Sequence, residues 1–238
     1  MDITREIAAK VLATVDAGLV AGVGVPEPGK MCVEAAVCYA MGLPHGDNPT
    51  CVAPKLRWLK IRLNDSRWSS PQARAQGMRR LALAQLGSAG HLDERVFSAR
   101  VVEMTIRTVV PPALRVAAKR VPSHATTLEA AALDCERLGD RASAQLARAA
   151  AAAAYAAAAD DAADDAAAAA AAAYAAAADA ASADAAAAYA ADAAAYAAAA
   201  AYADAADAAD RVLEDYAERV VQILIDMQAP GCQWLDLA

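Results

Sequence analysis

A chain of 238 residues has room for one or two domains with a real core. Alanine dominates, the helix formers Leu, Arg and Glu are common, and only 11 Gly, 10 Pro and a single Phe, Phe97, interrupt them, which speaks against a strand-rich protein and predicts an all-α one. The net charge of −7 is uneven: Met1–Arg148 holds 20 Lys and Arg against 14 Asp and Glu, whereas Ala149–Ala238 holds 2 against 15. The acidic half therefore does not bind nucleic acid by itself, and the mildly basic half is explained by solvated helix faces.

The first twenty residues, "MDITREIAAKVLATVDAGLV", place Ile3, Ile7, Val11 and Val15 on one helical stripe. Asp2, Arg5, Glu6, Lys10 and Asp16 break any run that would serve as an export signal, so the protein is expected in the cytoplasm. After the loop "GVGVPEPGK", Met31–Met41 reads as a short helix closed by Gly42-Leu43-Pro44, and "HGDNPTCVAP" as a second loop. "PKLRWLKIRL" is a third helix that stops at "NDSRWSS". Ser70 and Pro71 are a start signal, cap and first helical residue, for a helix that reaches Gln85 or Leu86.

Leu92–Val110 is the next helix, cut by Pro111-Pro112, and Ala113–Arg120 is a short one ending before Pro122. Ser123 or Thr126 then restarts the chain as a cap, with Glu129 three residues after Thr126 in capping-box position. From Asp140 to Ala229 there is neither Gly nor Pro, and Ala149–Asp210 contains 46 Ala, 10 Asp, 5 Tyr and Ser182. Such a tract is helical, because flexible linkers are rich in Gly, Ser and Pro instead. The reading is a mildly basic helical domain over residues 1–140, then an acidic Ala-rich region over 141–238 that ends in an amphipathic helix, the whole forming a helical hairpin or bundle.

As one rod the Ala tract would extend about 93 Å at 1.5 Å per residue. It is expected to fold back or to find partners, a homo-oligomer among them. Its longest charge-free run, Ala166–Ala178, has 13 residues, fewer than the roughly 20 apolar ones that span a bilayer, so no membrane helix is expected. With Tyr155 at zero and 100° per residue, the tyrosines fall within an arc of about 160° and nine of ten aspartates within about 100–280°, which leaves about 80° of Ala alone as a packing seam. Ala158 and Ala169 lie in that seam; Ala167 and Ala171 lie on the Tyr/Asp arc. Asp160, Asp161, Asp164 and Asp165 put like charges at i, i+4 and mark a turn between helices or a solvated face; Asp179–Ala185 is a second candidate turn. The tract has no regularly spaced Thr, so it is not an ice-binding helix, and ten unevenly placed Asp make a thin DNA mimic.

Candidate chemistry concentrates in "MCVEAAVCYAMGLPHGDNPTCV". Read as catalysis, Cys38 is a nucleophile, His45 its base, and Asp47 or Glu34 the group that orients the imidazole, although a carboxylate near a thiol raises its pKa. Read as structure, Cys32 and Cys38 are small core residues. The spacing of Cys32, Cys38, His45 and Cys51 matches no zinc ribbon or finger, so no metal and no cofactor is expected. A ligand set of Glu34, Arg57, Arg62 and Trp68, with Lys60, Arg67 and Trp58 beside it, would hold a small anion or a protein partner; the plainer reading is an amphipathic helix with Asn64-Asp65-Ser66 as its exit turn. The five Cys are an odd number and are expected as reduced thiols.

The chain resembles a set of uncharacterised bacterial proteins in "GKMCVEAAVCYAMGLPHGDNPTCV", "LKIRLNDSRWSS", "GMRRLALAQLGS", the Ala/Tyr/Asp-rich tract and the "PGCQWLDL" ending. The resemblance implies a shared fold and transfers no activity and no catalytic residue.

Overall fold

The computed structural model describes residues 3–160, 164–181, 192–197 and 206–238. Among them every regular element is helical, and the β pairing is an isolated bridge between Gly24 and Met31. The protein is all-α. It divides into two compact units, one of Met1–Ala99 with Leu213–Ala238 and one of Arg100–Val212. Asp140, the boundary expected from the sequence, stands in the second of these, between two of its helices.

In the first unit, α1 (Arg5–Asp16) begins at Thr4, whose hydroxyl accepts from the Ile7 amide, and buries Val11 and Val15 from the expected stripe. The helix α2 (Val33–Ala40) is buried on almost every side, from Val33 through Cys38, so its hydrophobic sequence shows no amphipathic period. Proline opens α3 (Pro54–Asp65) without a side-chain cap. Ser70 caps α4 (Pro71–Ala84) by accepting from the Ala73 amide at 3.0 Å, as its Ser-Pro start predicts. Helix α2 packs on α1, α3 and α4, and α1 on α4.

The first unit is completed from the far end of the chain. Helix α10 (Ala206–Asp226) carries Leu213, Tyr216, Val220 and Leu224, at intervals of three or four, into the interior, and Arg80 of α4 binds Glu218 of α10 at 2.9 Å. A 3-10 segment, Pro230–Leu237, packs on α4 and α1. Its Gly231 lies so close to the Leu83 and Ala84 carbonyls that a Cβ would collide with them.

The second unit takes α5 (Glu94–Thr108) from Arg100 onward, and α6 (Val110–Arg120) follows it. Pro111 and Pro112 sit inside the first turn of α6 rather than before it, because a proline there lacks only an amide hydrogen that the helix does not use. Helix α7 (Ala125–Leu138) starts behind a 3-10 turn, Pro122–His124, with no side-chain cap. The expected capping box does not form: Thr126 is already helical, and Glu129 is drawn instead to Arg115 of α6, which also holds Glu136 through two hydrogen bonds. Gly139 closes α7 in the left-handed region, at φ 65°, and Arg107 donates to the Glu136, Arg137 and Leu138 carbonyls there.

The Ala tract is divided. Helix α8 (Arg141–Asp160) and α9 (Asp164–Ala181) pack on each other, and α9 also on α6. The acidic cluster therefore falls between two helices, with Asp161 outside the described residues. The buried face of α8 is Ala144, Ala147, Ala151, Ala154 and Ala158, and that of α9 is Ala169, Ala170, Ala173, Ala176 and Ala177. Ala158 and Ala169, predicted in the seam, are 2% and 7% exposed. Arg148 of α8 donates to the Tyr174 hydroxyl of α9 and lies over its ring. Of the second candidate turn, Asp179–Ala181 is helical and the remainder lies outside the described residues, as do Tyr189 and Tyr202.

Candidate functional site

The motif-rich stretch folds around the N-terminus of α2, in the first unit. Cys32 is its cap, an unusual one, the sulfur accepting from the Ala35 amide at 3.3 Å. A second acceptor reaches the same helix end from α3: Asn64 Oδ1 takes the Val33 amide at 3.2 Å, while its Nδ2 donates to the Val20 carbonyl and to Asp65 Oδ1. Asp65 Oδ1 in turn accepts from the Gly22 amide at 2.8 Å. The supposed exit turn of α3 thus ties α2, α3 and the 20–31 loop together.

In the first turn of α2, Glu34 is fully buried, and it meets Lys60 of α3, also fully buried, at 3.1 Å. That contact is not aligned as a hydrogen bond, so both carboxylate oxygens of Glu34 and the Lys60 amine lack hydrogen-bond partners among the described residues. Burial raises the Glu34 pKa and lowers that of Lys60; in each case the partner's charge opposes the effect. Arg57 lies within electrostatic reach and favours the ionised carboxylate, and Asp47 opposes it.

A cavity of about 200 Å³ opens at this point. Glu34, Asp47, Asn64 and Asp65 supply its polar wall, and Val23, Val33 and Ile61 its apolar one, with Cys32 beside them. His45 donates from Nε2 to the Gly24 carbonyl at 3.0 Å and so ties the loop that carries Asp47 to the 20–31 loop. A larger hollow of about 250 Å³, near Arg79 and Arg80, is lined by cations already paired with Asp16 and Glu218.

The sequence-derived residues separate into different roles. Glu34 and Asp47 line the cavity; His45, bonded to the Gly24 carbonyl, and Cys38, 2% exposed, are not among its lining residues. Burial, then Glu34, pushes the Cys38 thiol up to about 11. Cys32 and Cys51 are raised by burial as well, and Cys51 donates to the Met41 sulfur. Arg57, Arg62 and Trp68 are not among the lining residues. Arg57 stacks on Trp58, which is 51% exposed; its Nε is buried without a hydrogen bond. Arg62 is exposed on α3. Trp68 is a core residue, donating to the Leu63 carbonyl and occupying the space over Gly77.

Asn64 and Asp65 are the contributors that the spacing did not bring out as a site, and Lys60, read beside the anion-binding set, pairs instead with Glu34. The only sequence signal for Asn64 and Asp65 was turn composition, which gives no hint of a cap supplied to a helix thirty residues away. Among the described residues no group of three His, Cys, Asp or Glu could hold a metal ion, and no helix is long and apolar enough to cross a membrane. No family model matches the chain, and neither a curated protein nor a solved structure is similar to it.

Proposed function

We propose that this is a binding protein whose N-terminal helical unit receives a small ligand in the cavity that ends on Glu34, with the Ala-rich helices as a packed scaffold. One observation carries the reading: a fully buried carboxylate with unfilled hydrogen-bonding capacity stands in the wall of a preformed cavity. Leaving a buried acceptor unsatisfied costs ~1–3 kcal/mol, and more for a charged one, so a guest that donates to it recovers that cost on binding. The cavity is smaller than the roughly 300–1,000 Å³ of drug-sized sites, and it suits a fragment-sized ligand.

The alternative, a thiol-dependent enzyme built on Cys38, His45 and Asp47, is less well supported. A thiol raised to about 11 carries little thiolate at neutral pH, and His45 commits Nε2 to a backbone carbonyl. Amide spectra recorded with fragment-sized neutral, anionic and cationic compounds test the proposal. Shifts are expected at Gly22, Val23, Val33 and Asn64. A panel in which no compound moves these amides contradicts it.

A further inference from the structure

The cavity wall is one-sided in its chemistry. Glu34, Asp47 and Asp65 are among its lining residues, and among the described residues no Lys, Arg or His lines it. Glu34 comes within 3.1 Å of Lys60 through Oε1, and neither of its fully buried carboxylate oxygens has a hydrogen-bond partner among the described residues. Asp65 spends Oδ1 on the Gly22 amide and on Asn64, which leaves Oδ2 for a guest. The nearest cation, Lys60, is not in the wall and is already in contact with Glu34.

Ionised carboxylates only accept hydrogen bonds, so a complementary guest must donate. An anion would face like charge at short range. Val23, Val33 and Ile61 on the other wall suit a hydrocarbon chain rather than a bare hydrated ion.

Resting on the binding reading above, we infer that the ligand is a small organic cation: an ammonium compound on a short hydrocarbon chain, its charged nitrogen donating to Glu34 Oε2 and to the carboxylates of Asp47 and Asp65. Charge-assisted hydrogen bonds of this kind are about twice as strong as neutral ones, and they set both affinity and the choice against uncharged isosteres.

Calorimetric titration of the whole protein at neutral pH with diaminobutane, butylamine, butanol and butyrate tests this. Both amines bind, the diamine more tightly, and the alcohol and the acid do not. Asp47→Asn and Asp65→Asn each weaken amine binding about tenfold. Asparagine at position 65 still offers Gly22 and Asn64 an oxygen, and an unchanged melting temperature of the free variants shows that the fold is intact. Butanol or butyrate binding as tightly as the amines overturns the cation class and leaves the cavity as a binding site. Amine binding that both variants retain in full overturns the placement in this cavity. A titration in which none of the four binds overturns the cation class and the binding reading together.

Discussion

Burial decides the behaviour of the individual residues around α2. All five thiols are shifted upward, Cys38, Cys135 and Cys232 to about 11, with desolvation as the first cause in each. In the folded protein Cys38 should therefore alkylate with iodoacetamide at neutral pH far more slowly than a free thiol and no faster than Cys135. Labelling at the free-thiol rate would restore the nucleophile. Trp68 and Gly77 make a second residue-scale case. Gly→Ala in a helix normally gains up to ~1 kcal/mol, but a Cβ at Gly77 would run into the Trp68 ring. Overpacking of ~1–3 kcal/mol should win, so Gly77→Ala lowers the melting temperature; a rise would show that the ring has room to move. Of the residues that lie within fourteen positions of one another in the motif-rich stretch, Glu34 and Asp47 line one cavity, whereas Cys38 and His45 are not among its lining residues. The sequence did not reveal that Glu34 faces Lys60 or that Trp68 is core, since both depend on contacts between helices whose mutual orientation no local pattern encodes.

At the scale of elements, small residues let helices approach. A buried methyl contributes only ~0.8 kcal/mol, so an Ala face coheres through close backbone contact and dispersion rather than through large side chains. Ala158→Leu or Ala169→Leu should cost ~1–3 kcal/mol in urea denaturation, whereas Ala168→Leu, on the exposed side of α9, should be nearly neutral. Equal and small effects at all three positions would make the tract a solvated spacer. The angular pattern anticipated Ala158 and Ala169, yet a phase counted from Tyr155 also placed Ala170 and Ala177 among the tyrosines, and both are buried. The interruption between Asp160 and Asp164 explains the miss: α9 is a separate helix and keeps its own phase. Similarly, Pro111-Pro112 and Thr126 were legible as helix-boundary signals, but the prolines fall inside the first turn of α6, where no amide hydrogen is needed, and Glu129 pairs with Arg115 rather than with a Thr126 cap.

For the whole molecule, the all-α class and most helices followed from composition and period, while the make-up of the first unit did not. Which late segment returns to complete α1–α4 is fixed by long-range contacts, Arg80 with Glu218, Arg5 with Asp236 and Gly231 under the end of α4. A chain ending at Asp140 should consequently melt well below the full protein and expose α4; equal stability would show that the return is dispensable. The central claim is that Glu34 serves a ligand and that its pairing with Lys60 is not required to hold the unit together. Buried ion pairs are commonly replaced by well-packed apolar residues at no loss, or with a gain of ~1–4 kcal/mol, whereas removing one partner costs ~3–5 kcal/mol. The direct test is thermal denaturation of Glu34→Leu/Lys60→Met with and without diaminobutane. The account predicts that the double variant melts at or above the temperature of the unaltered protein and that the diamine, which raises the melting temperature of the latter, no longer does so. A variant that fails to fold, or one still stabilised by the diamine to the same extent, would contradict it.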